Sequence, residues 1–271
     1  MAPPPLPLPP PWRRDLDCGW VEFKSGKDDI RGYFAAKKGA KNLPAIVMVH
    51  ENIGVIEHRQ DVTRRLANEG YAALTVDLFS RVGGRPPQDF KDADDRRAKA
   101  FIAARDEQAL PDLDAGVRWL EQRPDVDAGR IGAIGYCMGG GTMLAWICGQ
   151  TTRIKAAVGF YPTAIVDAPW RPDGKELSRI AVAPKLSCPL QVHFGTADQA
   201  VPPAQQERLK EAFKQAAFPV EWHNYDGANH AYHDDTHPNY HREASLASWP
   251  RAIEFLRRHL GGGSRQRVAA E

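Results

Sequence analysis

The 271-residue chain lacks an excess of either charge: 36 basic and 34 acidic residues are interspersed and leave a formal net charge of +2. Without a strongly basic or acidic face, neither nucleic acid nor an anionic membrane surface is an expected partner. Long hydrophobic runs are also missing, and nothing approaches the roughly 18 apolar residues that a bilayer-spanning helix requires. The N-terminus, MAPPPLPLPPPWRRD, has no apolar segment of the secretory kind, and its arginines follow the prolines instead of preceding a hydrophobic stretch. Cysteine is scarce. Cys18, Cys137, Cys148 and Cys188 are far apart and form no CxxC pair. That usage argues against a disulfide framework or a structural zinc site, and it predicts reduced thiols in a cytoplasmic protein.

Proline and glycine, by contrast, are concentrated where they mark boundaries. Seven prolines in the first 11 residues predict an extended arm, so residues 1–18 read as an extension outside the fold. GGGSRQRVAAE, residues 261–271, reads as a flexible tail, leaving 19–260 as one domain. Within it, Gly19–Phe23 and Ile30–Ala36 form an expected antiparallel pair around a polar turn. The runs Leu43–His50 and Tyr71–Leu78 are continuously apolar over strand length, as for strands buried on both faces. EHRQDVTRRLANEG between them predicts a helix closed by Gly70. Further helices are expected at Arg96–Ala109, around Leu113, Val117 and Leu120, and at Gly139–Gly149, Pro203–Ala217 and His241–Leu260. Strands are expected at Arg130–Tyr136, Ile154–Tyr161, Pro189–Phe194 and Val220–Tyr225. This alternation implies an α/β class with one mostly parallel sheet and helices on both faces.

In such sheets, chemistry collects at the carboxyl ends of the strands. GYCMGG, residues 135–140, follows one strand directly and opens the next helix. G-x-C-x-G is the cysteine form of the nucleophile elbow, a tight turn that projects its central side chain into a cleft. The helix beginning there turns free N–H groups and its dipole towards Cys137, which favours a thiolate. A dinucleotide-binding reading fails, because no glycines stand at i, i+2 and i+5 in GAIGYCMGGGTM. A cysteine nucleophile needs a base, and the base needs an orienting acid. The chain order on this scaffold is nucleophile, acid, histidine, each on a loop after a strand. Asp198 in HFGTAD and His230 in YDGANH satisfy both conditions. The N–H of Met138, directly after the nucleophile, and that of Asn52, after the first buried strand, are the expected oxyanion donors. Tyr136, directly before Cys137, and Tyr161, at the end of the strand Ile154–Tyr161, are candidates for the substrate pocket.

HENIGV, DLFSR, GYCMGG, GTAD and YDGANHAY, in this order and spacing, resemble the dienelactone hydrolase (carboxymethylenebutenolidase) family of the α/β-hydrolase superfamily, over about Gly19 to Leu260. The resemblance implies a Cys137–His230–Asp198 triad acting on a small ester or lactone without a cofactor or metal. It also implies that Glu51 contacts the resting thiol, and that Arg81 holds a substrate carboxylate. Two positions depart from the pattern: Ala231 stands where the family has serine, and Asp234 where it has a second carboxylate-binding arginine. An acid there predicts a preference for neutral esters and lactones over acids. The histidine-rich run NHAYHDDTHPNYH reads as a loop rather than a metal site. A thioesterase or peptidase on the same scaffold, or a binding protein that kept the fold without catalysis, are the alternatives. An oligomer is compatible with this reading.

Overall fold

Ten-residue strands Leu16–Ser25 (β1) and Asp28–Lys37 (β2) open the chain as an antiparallel pair, turning at Gly26 with φ of 60°. These belong to a computed structural model that describes residues 15–86, 88–166 and 175–261. The expected extension lies outside the described residues except at its end, where the fold begins at Leu16 rather than Gly19; the expected tail lies outside them except for Gly261. Leu43–Val49 (β3) and Ala72–Val76 (β4) follow, parallel to each other and with every side chain buried. Double-sided burial is why both read as unbroken apolar runs rather than as alternation. Helix α1 (Glu57–Asn68) joins them, and Gly70, at φ of 93°, takes the left-handed conformation just past its end.

After α2 (Ala93–Ala103) and α3 (Asp106–Glu121) come β5 (Val126–Tyr136), α4 (Cys137–Ile147) and β6 (Ile154–Phe160). The two-residue strands β7 (Ile165–Val166) and β8 (Leu177–Ser178) form a small separate pair. Then β9 (Leu190–Gly195), α5 (Pro203–Phe213), β10 (Val220–Tyr225) and α6 (Arg242–Leu260) complete the domain. The main sheet has the order β1-β2-β4-β3-β5-β6-β9-β10, antiparallel at its first two pairings and parallel beyond. This is the α/β-hydrolase architecture. Its centre is β3 and β5, so the loops leaving these two strands meet at one end of the sheet. Among the described residues no helix is long and apolar enough to cross a membrane.

Two features differ from the expected elements. A single helix over Arg96–Ala109 is replaced by a break at Ala104 and Arg105, with ψ of 35° and 149°, between α2 and α3. The new start has a physical cause. Asp106 and Glu107 place carboxylates in the first turn of α3, and Arg179 grips Asp106 with both guanidinium nitrogens at 2.6 and 2.9 Å. Strands β7 and β8 have no counterpart among the expected strands, because two residues carry no periodicity.

Candidate active site

The turn from β5 into α4 is held by contacts that tolerate no side chain. A Cβ on Gly139 would stand 2.3 Å from the His50 carbonyl oxygen and 2.5 Å from that of Val49, so α4 starts against the end of β3. A Cβ on Gly135 would meet the Gly139 oxygen at 2.8 Å, across the turn itself. Cys137 sits between them with φ of 51°, the left-handed region that a non-glycine residue enters at a cost of about 1–2 kcal/mol. Such strain at one residue, held by packing on both sides, is the signature of an elbow. As the first residues of α4, Cys137 and Met138 have N–H groups without intrahelical partners.

The carboxyl ends of β9 and β10 supply the other two groups. Gly195 closes β9 where a Cβ would lie 2.0 Å from the Ala228 oxygen, so the loops bearing Asp198 and His230 press directly together. Ala197 N–H donates to Ala228 across this contact at 3.0 Å. His230 Nδ1 lies 2.9 Å from Asp198 Oδ2, and its Nε2 lies 3.1 Å from the Cys137 sulfur. Asp198 is buried, and its Oδ1 accepts from the N–H groups of Ala200 and Val201 at 2.9 and 2.8 Å. Asn239 Nδ2 fixes the backbone of His230 at 2.9 Å, and the ring of Tyr161 packs edge-on against the imidazole at 5.0 Å. Burial disfavours an imidazolium here, but the adjoining Cys137 and the Asp198 carboxylate outweigh it and raise the His230 pKa to about 10.

A cleft of about 530 Å³ opens over Cys137 and His230. Met138, Asn52, Glu51, Tyr161, Ala231 and Asp234 all line it. Ala231 does so from a left-handed conformation, φ 64°. Asp234 turns its carboxylate into its own loop: Oδ1 accepts from Thr236 N–H and Oγ1 at 2.8 and 2.7 Å.

Two expected pocket residues lie elsewhere. Arg81 is bound by Asp28 at 2.6 Å and by both oxygens of the buried Asp112 at 2.5 and 2.9 Å. It faces a separate shallow cleft with Val82, Lys99 and Ile102, so the carboxylate clamp assigned to it is corrected to a structural tie between β2 and α3. Two fixed carboxylates close to one guanidinium leave it no free fork for a ligand. Tyr136 is fully buried beneath the nucleophile, stacked on Phe160 at 4.8 Å, and does not form the pocket wall.

Other wall residues gave no sequence signal. Arg96, Arg97 and Phe101 reach the cleft from α2, and Ile165 and Val166 from β7. Neither Arg96 nor Arg97 makes an ion pair among the described residues, whereas neighbouring Lys99 is taken by Asp89 and Asp95. Arg59 on α1 is a further omission: fully buried, it donates to Glu51 Oε1 at 2.7 Å. Burial opposes its charge, but Glu51 holds its pKa above the ordinary arginine value.

His58, Asp234 and Asp235 bring one nitrogen and two oxygens within 4.8 Å of one another, the sole such grouping among the described residues. Their oxygens are already engaged, Asp235 Oδ2 by Arg65 at 2.9 Å and Asp234 Oδ1 by Thr236. Arg65 beside Asp235 makes this an ion-pair cluster.

The profile of the dienelactone hydrolase family matches residues 30–260. The chain belongs to that family. A protein of Salmonella typhimurium provisionally named carboxymethylenebutenolidase is 31% identical over 252 residues, 91% of this chain and 89% of that protein. A Bradyrhizobium protein provisionally named 2-oxo-3-(5-oxofuran-2-ylidene)propanoate lactonase is 28% identical over 244 residues, 90% and 95% of the respective chains. A crystal structure provisionally assigned as a dienelactone hydrolase of Klebsiella pneumoniae superposes with a TM-score of 0.80 at 28% identity, over 89% of this chain and 98% of that one.

Proposed function

We propose that this dienelactone hydrolase family member is a cysteine-dependent hydrolase of small esters or lactones, working through an acyl-enzyme on Cys137. The observation that carries the reading is the continuous line of contacts from sulfur to imidazole to buried carboxylate, at 3.1 and 2.9 Å, on the floor of a cleft. In this reading the Cys137 thiolate attacks the carbonyl carbon, and the electron pair of the C=O bond moves to oxygen. The N–H groups of Met138 and Asn52 receive that oxyanion. When the tetrahedral intermediate collapses, the C–O bond to the leaving group breaks, and His230 gives its proton to the departing oxygen. The neutral imidazole then takes a proton from water, whose oxygen attacks the thioester and releases the acid and the thiolate. Asp198 keeps Nδ1–H pointing towards itself, so that Nε2 faces the sulfur.

The cleft volume suits a small substrate, and the name of the Bradyrhizobium relative adds a lactone as a class to test. A thioesterase would use the same steps with a sulfur leaving group. A panel of matched short-chain esters, thioesters, lactones and peptides, compared by kcat/KM, separates these readings. Oxygen esters and lactones should lead; turnover confined to thioesters or peptides would contradict the assignment, and none at all would favour a binding protein.

A further inference from the structure

Helix α2 brings two positive charges to the cleft. Arg96 is half-buried and Arg97 exposed, both line the cleft, and neither has an acidic partner among the described residues. We propose that α2 is a hinged wall that selects substrates by charge: a negative group remote from the scissile carbonyl binds Arg96 and Arg97 and seats the helix over the cleft. The inference deepens the hydrolase reading and rests on it for the place of the reacting carbonyl at Cys137.

The segment bearing these arginines is anchored at both ends and loosely held between. Upstream, Arg81 is bound by Asp28 and Asp112, and Gly84 N–H donates to the Phe79 oxygen at 2.8 Å. Downstream, Arg179 grips Asp106. Between these anchors the polar contacts are local. Lys99 pairs with Asp89 and Asp95, Asp95 accepts from Lys91 N–H, and Asp92 accepts from Asp95 N–H. None of these reaches another element. Ala98, Ala100, Phe101 and Ala104 are the buried side chains that hold the helix to the core, and three of the four are alanines, which bury little area. A segment held in this way opens more easily than the strands and helices of the core.

Hinges and room to move are both present. Gly83 and Gly84 stand at φ of 84° and 80°, and the break at Ala104 and Arg105 ends the helix. Dihedral changes at a few such positions turn a whole helix. Successive helical residues lie about 100° apart, so Lys99 and Ile102 are on the face opposite Arg97 and Phe101. That opposite face borders a second groove of about 390 Å³, shared with Arg81 and Val82. With about 530 Å³ on the catalytic side and about 390 Å³ on the other, α2 has space to tilt in either direction. The catalytic side also defines the ligand. Phe101, Ile165 and Val166 offer an apolar surface and the two arginines a cationic one, while Glu51 is held by Arg59 and Asp234 Oδ1 by Thr236. The matching substrate is an ester or lactone with an apolar spacer and a distal carboxylate.

Amide hydrogen exchange read by peptide mass tests this without requiring turnover. The probes are monoamides of the straight-chain diacids from succinic to suberic acid, with an unreactive amide at one end and a carboxylate at the other. The neutral diamides are their controls, at constant ionic strength. In the free protein, peptides from Ala93–Ala103 should exchange at least about tenfold faster than those of α1 and α4. At least one monoamide should slow that exchange by about threefold or more, and its diamide should not. Arg96→Gln/Arg97→Gln should abolish the slowing while leaving the melting temperature and the exchange of the free protein unchanged. Exchange in the free protein as slow as in α1 and α4, no slowing by any monoamide, equal slowing by the diamides, or slowing that survives in the double variant would overturn the proposal. Protection by a monoamide in a protein that hydrolyses no ester or lactone would remove the hydrolase reading and leave α2 as the hinged wall of a binding site. Ester hydrolysis without such protection would do the reverse.

Discussion

His230 is held between the Cys137 sulfur and the Asp198 carboxylate, and its behaviour follows from that position. In the proposed mechanism its imidazolium protonates a poor leaving group, whereas alkylation of Cys137 needs no proton donor. The raised pKa of about 10 gives the sign: the imidazolium is present below that value and lost as pH rises through it. Hydrolysis of an alkyl ester should therefore decline above about pH 10 while Cys137 alkylation does not, and parallel pH profiles of the two rates check this. A decline shared by both reactions would reflect unfolding rather than His230, and hydrolysis that stays level through about pH 10 would contradict this role. His230→Ala should lower kcat by several powers of ten, and Asp198→Asn by a comparable factor through the wrong tautomer.

At the scale of elements, the close fit of α4 to β3 sets the elbow. Gly139→Ala inserts a methyl group into two backbone carbonyls at 2.3 and 2.5 Å, neither of which is free to swing away. Overpacking of this kind costs about 1–3 kcal/mol or more, so Tm should fall by roughly 5–10 °C and activity should drop further than stability. An unshifted melting curve with normal kcat would show that the turn can relax. Helix α2 bears on substrate choice. With the Asp234 carboxylate turned into its loop, Arg96 and Arg97 bring positive charge to the cleft, against the neutral preference that the sequence suggests. Replacing both with alanine should lower kcat/KM for a lactone bearing a free carboxylate by about 3- to 30-fold relative to its methyl ester. Equal effects on both substrates would place the arginines outside recognition.

Over the whole molecule, the parts legible in the sequence are those whose chemistry is local. Continuous apolar runs announce β3 and β4, and the glycines around Cys137 announce the elbow, because each signal lies within a few residues. The proposed acid and base, Asp198 and His230, are expected from chain order, and the structure sets them 2.9 Å apart. Arg59 and Arg81 are not legible in this way, because an arginine's partner depends on tertiary neighbours: Glu51 is eight positions from Arg59, and Asp112 lies 31 positions from Arg81. The break before α3 is hidden for the same reason, since Arg179 holds Asp106 from 73 residues away. The reassignment of Arg81 has a measurable consequence. Arg81→Ala leaves the buried Asp112 without its cation and should cost about 1–3 kcal/mol in denaturant unfolding, with kcat/KM of the folded protein little changed. A large loss of kcat/KM with intact stability would return Arg81 to the substrate.

In the proposed reaction an acyl group passes through the Cys137 sulfur. Mixing the protein with an activated short-chain ester, quenching in acid within the first turnover and mapping the added mass by peptide tests it most directly. One acyl group is expected on the peptide bearing Cys137, absent in Cys137→Ala and accumulating in His230→Ala if acylation is forced with a very good leaving group. An acyl group carried by Cys18, Cys148 or Cys188, or undiminished ester turnover by Cys137→Ala, would contradict it.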